Sequence, residues 1–381
     1  MRSNLVFSVV RDPFDFSKLK GEWGNLLENS DSNNIYLTWE WLHTWWAIFG
    51  KNCELALIEV REKGGNLIGI APFKFSRRRV FAGKRKMEFI GNGSDITSEY
   101  LDIIVRRGYE SAVREGLAKV LDALDEIATI SLKPLVHNND LQNWAGEGWA
   151  FQKTSPYSTC PVFDLPPTWE RFLATKSKNF RKKAKEYHRV CRRDLQLRLI
   201  RVEAAEELPA RMNDLERLHK LRWQGRPASF SSNAYRQFHL DISRQFLARG
   251  WLRLFFLYDG DRPIGALYCY AYNNVYYYCQ AGRDPAYNKY HLGYVMINLA
   301  IQEAIKEGAR SFDMLTGEEA YKYHWANSRK TSVHLLACKN SFAYWRYNVE
   351  YLIDRLSYQH HKFRHRWRRI SSHSKENPFE F

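Results

Sequence analysis

The 381-residue sequence contains no CxxC pair, and its six cysteines, at 53, 160, 191, 269, 279 and 338, have no histidine nearby at ligand spacing. That spacing speaks against a zinc site and against a disulfide framework, so the thiols are read as reduced core residues and no metal is expected. No Gly-x-Ser-x-Gly elbow occurs, and no cysteine stands beside an evident base, so nothing indicates a covalent nucleophile. Charges interrupt every hydrophobic run well before a membrane-spanning length, and the opening stretch MRSNLVFSVVRDPFDF has no apolar segment of signal-peptide length. A cytoplasmic chain is therefore expected. Zinc-finger and aromatic RNA-recognition motifs are missing too, which removes the basis for specific nucleic-acid readout.

What the sequence does have is basic charge, aromatic side chains and apolar residues enough for two cores. Lysine and arginine number 58 against 42 aspartates and glutamates, a net charge of +16 that favours polyanions or phosphate-bearing substrates. The charge clusters in KFSRRRVFAGKRK (74–86), KSKNFRKKAKEYHRVCRRD (176–194) and HHKFRHRWRR (360–369), each of which also reads as a solvated helix face. At this length, with 45% hydrophobic residues, two domains are the natural expectation. Trp39, Trp41, Trp45 and Trp46 crowd the stretch YLTWEWLHTWWAIFG (36–50). Helical spacing puts Glu40, His43, Thr44 and Ala47 on one narrow polar stripe and apolar residues everywhere else, with Thr38 as N-cap. A buried scaffold helix is expected, with at most its rim facing a substrate.

Two stretches read alike, LALIEVREKGGNLIGIAPFKF (55–75) and LRLFFLYDGDRPIGALYCYAY (252–272): strand, glycine-bearing turn, and a second strand opening on Ile-Gly. Each is followed further on by a helix and a strand, which suggests a duplicated α/β unit. Prolines 156, 161, 166 and 167 mark the boundary between the copies. The spacing predicts a hairpin turning at Asn273 and Asn274, with Tyr270 opposite Tyr277 and Cys269 opposite Tyr278. It also predicts a helix through HLGYVMINLAIQEAIKEG, stopped by Gly308, and a returning strand SFDML.

This order, strand, hairpin, glycine-bearing loop, helix, strand, resembles the acyl-CoA-dependent GNAT fold. It would place a donor diphosphate at Tyr290, His291, Leu292 and Gly293, where a helix N-terminus offers free N–H groups and Gly293 permits close approach. One glycine before a helix also serves capping or packing. Acyl transfer needs donors for the carbonyl oxygen, a site for donor phosphates and often a base. Asp313, among apolar neighbours near a strand end, is read either as that base or as a structural carboxylate holding a loop N–H. Arg181 and Lys182 are read as phosphate ligands or as part of a solvated helix face, and Trp223 and Tyr278 as cleft lining or core. His324 is read as a packed surface histidine.

The segments WEWLHTWWAIFG, IGIAPF, EYLD, KNFRKKAKEYHR, LHKLRWQGR, GRDPAYNKYHLGYVM and FDMLTGEEAYKYHWA run in order from about residue 36 to 338. Together they resemble the CelD/BcsL-type acetyltransferase family, associated with cellulose and exopolysaccharide synthesis and related to the Fem aminoacyl-tRNA-dependent transferases. The resemblance implies an α/β fold of mixed sheets with tandem GNAT-like, Fem-like domains and a C-terminal helix. In that reading residues 1–160 form a degenerate domain, 161–340 the catalytic domain and 341–381 a basic helix and tail. It implies acetyl-CoA or another acyl-CoA as donor, a saccharide or envelope precursor as acceptor, and a role in the site for Lys322. Two rivals accompany it. One is Fem-like transfer from aminoacyl-tRNA, the single case in which a nucleic acid would be a partner. The other is a non-catalytic scaffold of a polysaccharide synthase, docked at the inner face of an anionic membrane through FRHRWRRI.

Overall fold

The computed structural model describes residues 5–76, 84–96, 98–136, 148–223, 230 and 232–353. The basic run at 360–369, and the middle of the one at 74–86, lie outside these residues. The chain gathers into two units, one holding the residues up to Ser158 and those from Thr331 on, the other Thr159–Lys330. Strand residues from Thr331, expected with the second half, thus belong to the first unit.

The first unit runs through β1 (Leu5–Val10), α1 (Pro13–Lys18), α2 (Lys20–Glu28), α3 (Trp39–Phe49), β2 (Cys53–Leu55), β3 (Leu57–Glu62), β4 (Leu67–Ala71), β5 (Phe73–Ser76), β6 (Arg85–Phe89), β7 (Ile104–Val105), α4 (Glu110–Ala123) and β8 (Ile127–Val136). It enters β9 (Phe151–Asp164), whose second half opens the other unit. There follow α5 (Trp169–Ala174), α6 (Lys178–Asp194), β10 (Leu197–Arg201), α7 (Leu208–Trp223), α8 (Asn233–Ala248), β11 (Leu252–Asp259), β12 (Arg262–Tyr272), β13 (Val275–Arg283), α9 (Leu292–Lys306) and β14 (Ser311–Asp313). The chain then returns to the first unit along β15 (Ser328–Cys338) and α10 (341–353).

The suspected duplication is present as topology. In the first unit β3 and β4 form an antiparallel pair, and β6 and β8 run parallel with α4 between them. In the second, β11 and β12 are antiparallel, and β13 and β14 run parallel with α9 between them. The strand orders are β1-β3-β4-β7 and β15-β8-β6-β5-β2 in the first unit, and β10-β11-β12-β13-β14-β9 in the second. The fold is α/β with mixed sheets, as expected.

The tryptophan helix α3 forms for the expected reason and buries more than expected. Thr38 accepts the Trp41 N–H at 3.4 Å and caps the helix. Of the predicted polar stripe, Glu40 and Thr44 are buried, His43 is half-buried on the Trp39 ring, and Ala47 alone is exposed. Trp41 donates its indole N–H to Ser98 Oγ at 2.8 Å, and Trp45 to Ser94 Oγ at 2.9 Å. The indoles therefore fix the loop after β6 as well as filling the core, which meets the rule that buried indoles find a polar partner.

In the second unit the hairpin turns at Asn273 and Asn274, with φ of 48° and 60°. Tyr270 pairs with Tyr277 and Cys269 with Tyr278, the register expected from the alternation, and a bulge follows between Tyr268 and Cys269. Beyond the hairpin, β14 pairs with β13 only from Val275 to Tyr277. From Tyr278 onward, β13 is free of that partner, and its next residues face a cleft. Helix α7 crosses β13 at Gly282 so closely that a Cβ there would lie 2.5 Å from the His219 backbone nitrogen. Only glycine permits this approach, which brings the last turn of α7 to the cleft.

Candidate functional site

The cleft beside β13 opens into a pocket of about 820 Å³, counting the open space at its mouth. Leu267, Ala281, Met296 and Ile297 give it an apolar wall. Its cations are Lys183 from α6, Arg222 from α7 and Arg283 from β13, with the imidazoles of His291 and His324, and no carboxylate stands among its described lining residues.

One group of lining residues comes from the start of α9. His291 adopts the left-handed conformation at φ 51°, no side chain caps the helix, and the imidazole stacks on Tyr187 at 4.1 Å. The free N–H groups of the first turn and the helix dipole make this end attractive to anions. Gly293 lies in that turn and lines the cavity, and an added Cβ would meet nothing within 4 Å. Its value is therefore the open space beside the backbone, since the chain reversal is made by His291. Tyr290 and Leu292 are buried and turn away from the cavity.

A second group of lining residues is Arg222, Tyr278, Arg283 and Tyr321. Burial works against the Arg222 charge, but the hydroxyls of Tyr278 and Tyr321 bond to the guanidinium and hold its pKa above the ordinary value. Burial pushes Tyr321 up, with Tyr278 adding to the effect. Arg283 is lowered, first by burial and then by the neighbouring Arg222 charge, and it donates to Asn288 Oδ1 at 2.8 Å. Tyr294 and the buried Trp325 stand 4.9 Å apart, and Trp325 donates to Asn298 Oδ1 at 2.8 Å. This packing holds α9 against the turn Ala320–His324 that carries Tyr321.

Of the residues expected in the site, Tyr278, His291 and Gly293 line one cavity. Asp313 is fully buried beneath it, accepting the Leu315 N–H at 2.9 Å and facing Lys330 at 3.5 Å. Lys322 is buried as well, donating to the carbonyls of Leu315 (3.3 Å) and Thr316 (2.7 Å) and pairing with Glu319 at 3.1 Å. The two charges thus brace the loop between β14 and Tyr321, and neither lines the cavity. Arg181 turns back to the Lys176 carbonyl at 2.7 Å and Lys182 is exposed; on the same helix it is Lys183 that reaches the cavity. Trp223 yields to its neighbour Arg222 in the same way, by one residue of helical phase. Arg283 and Tyr321, which the sequence reading passed over, stood in the motifs GRDPAYNKYHLGYVM and AYKYHW. Among the described residues no cluster of three or more His, Cys, Asp or Glu side chains is placed to hold a metal ion.

Residues 176–323, which include every lining residue except His324 and Trp325, match the acetyltransferase (GNAT) domain family. Among solved structures the chain is similar to FemX, with 10% identity over 83% of this chain and 95% of that one and a TM-score of 0.58. It is similar to L-PGS from Bacillus licheniformis, with 10% identity over 87% and 93% of the two chains and a TM-score of 0.52. A conserved protein of unknown function from Bacteroides thetaiotaomicron VPI-5482 gives 10% identity, coverage of 88% and 99%, and a TM-score of 0.55. No curated protein sequence matches. These likenesses show the fold alone: a mixed α/β chain similar to FemX, whose residues 176–323 resemble the GNAT domain.

Proposed function

We propose that the protein transfers an acyl group from acyl-CoA to an amine or hydroxyl of a saccharide or cell-envelope precursor, as the CelD/BcsL-type resemblance implies, and that the reaction takes place in the cavity of the second unit. The observation that carries this reading is the cavity itself, a cationic pocket with no carboxylate among its described lining residues, built on a helix start without a side-chain cap that lies in the GNAT-matching segment. Its residues fit such a donor. Lys183, the imidazole of His291 and the N–H groups around Gly293 would hold the phosphates, and Leu267, Ala281, Met296 and Ile297 the apolar arm. A bound donor supplies an acyl group already activated as a thioester. The chain's own part is to exclude water along the apolar wall, orient the acceptor and provide donors for charge on the acyl oxygen. Of the lining groups, we assign the exposed imidazole of His324 the role of accepting the attacking group's proton. Asp313 and Lys322 act through the loop they brace.

The test is calorimetry and thermal shift with acetyl-CoA, longer acyl-CoAs, free CoA and bulk tRNA. Gly293→Asp puts a carboxylate into the open space beside the helix start, so it leaves folding intact and weakens CoA binding at least tenfold. Wild-type affinity in that variant places the donor elsewhere. A second reading, transfer from aminoacyl-tRNA, is favoured by the exposed cations of α6, Lys178, Lys182, Lys183, Lys185, Arg189, Arg192 and Arg193. Stabilisation by tRNA and not by any CoA would select it.

A further inference from the structure

We propose that Arg222 and Arg283, with the hydroxyls of Tyr278 and Tyr321, form a second anion subsite that grips a phosphate or carboxylate carried by the acceptor. This rests on the reading of the cavity as an acyl-transfer site and adds a requirement to it: the acceptor is negatively charged.

Other arginines of the same unit show what is unusual here. Arg201 and Arg253 each reach Glu307 at 2.7 Å, and Arg262 reaches Asp284 at 2.5 Å. Among the described residues Arg222 has no such partner. The groups it meets are neutral: two tyrosine hydroxyls and, at 3.5 Å, the Ala281 carbonyl. Arg283 meets the amide of Asn288. Two guanidinium groups therefore line one cavity with no carboxylate among its described lining residues, close enough that the Arg222 charge adds to burial in lowering the Arg283 pKa. Holding like charges together in a partly desolvated place is costly, and an anion between them removes the cost. A planar guanidinium fork is also suited to the paired oxygens of a carboxylate or phosphate.

The elements involved distinguish these residues from the donor set. Lys183, His291 and Gly293 come from α6 and α9, whereas Arg222 comes from α7, Tyr278 and Arg283 from β13, and Tyr321 from the turn that Lys322 braces. A donor held by the start of α9 leaves the two arginines for the second substrate. Tyr278 and Tyr321 orient the Arg222 fork and add two hydroxyl donors of their own.

The experiment titrates glucose 1-phosphate, glucuronate and glucose into the full-length protein saturated with CoA, by calorimetry. At least one charged sugar should bind tenfold or more tightly than glucose, and which one does so tells phosphate from carboxylate. Arg222→Met and Arg283→Met should each weaken that binding at least tenfold while changing CoA affinity less than threefold. If Arg222→Met does not fold, Arg283→Met and Tyr321→Phe carry the same comparison. Equal binding of charged and neutral sugars, unchanged affinity in the variants, or displacement of the sugar by CoA would overturn the proposal, the last because the arginines would then hold the donor. If CoA does not bind at all while the charged sugar binds in an Arg222-dependent way, the donor reading fails and the anion subsite stands.

Discussion

Lys322 and Asp313 carry charge into the protein interior, and what they touch decides what they do. An ammonium that donates to two loop carbonyls and pairs with Glu319 has spent its donors on the loop. The loop needs them, because Leu315 sits at φ 52° and Gly317 at φ 124°, conformations that other residues rarely hold unaided. Lys322→Met keeps most of the stem and removes the charge. Two carbonyls then lose a partner, at a cost of about 1–3 kcal/mol, and Tyr321, the next residue back, loses its fixed position. The expected result is a lower melting temperature together with reduced turnover. A fall in turnover of about a hundredfold with an unchanged melting temperature would mean that the ammonium acts on the reacting acyl oxygen itself. The resemblance pointed to this lysine by its place in AYKYHW; its contacts show a route by which that place matters without contact with substrate.

Elements with a local cause were legible in the sequence. The hairpin at Asn273 and Asn274 was readable to the residue pair, because alternating β-formers and two residues tolerant of positive φ leave one register. That account predicts that Asn274→Val, a β-branched residue forced to φ 60°, costs about 1–2 kcal/mol, measurable by urea unfolding, whereas Asn274→Gly costs little or nothing. A Val variant as stable as wild type would mean that the strands alone set the turn. The cap of α3 and the start of α9 were legible for similar reasons. The cavity wall was only half legible. Tyr278, His291 and Gly293 were found because they lie on elements whose phase the sequence sets, but Lys183 and Arg222 were each missed by one position, since the buried residues of α6 (Phe180, Ala184, Cys191) and α7 (Met212, Leu215, Leu218) mark the face that packs on the core and not which flanking cation lines the cavity. The role of the α3 indoles in holding the loop at Ser94 and Ser98 depends on contacts 49 and 57 residues away, which no local pattern contains.

At the scale of the whole molecule, a net charge of +16 remains larger than a single cavity explains. No helix among the described residues is long and apolar enough to cross a membrane, so any bilayer contact of a described helix is at the surface. Helix α10 has the form such contact requires. Ala343 packs inward against Ala128, Leu336 and Cys338, with Tyr344 and Tyr347 beside it. Phe342, Trp345, Leu352 and Ile353 fall within one arc of the helix and are exposed, Trp345 by 61%. We therefore propose an anionic lipid surface as the occupant of this face, because the sequence that follows supplies the matching charge: Lys362, Arg364, Arg366, Arg368 and Arg369 with Trp367 among them. Each basic residue near such a surface contributes about 1 kcal/mol at most, screened over a Debye length of about 8–10 Å. The full-length protein should therefore co-sediment with vesicles containing phosphatidylglycerol and not with phosphatidylcholine alone, and added salt should release it. Trp345→Ser should weaken binding several-fold at any salt, and removal of residues 360–381 should weaken it at least tenfold at low salt while leaving acyl-CoA binding unchanged. Equal vesicle binding by all three proteins would reject the lipid surface. A wild-type dimer in light scattering that Trp345→Ser converts to monomer would reject it as well, by giving the exposed face to a second copy of the chain.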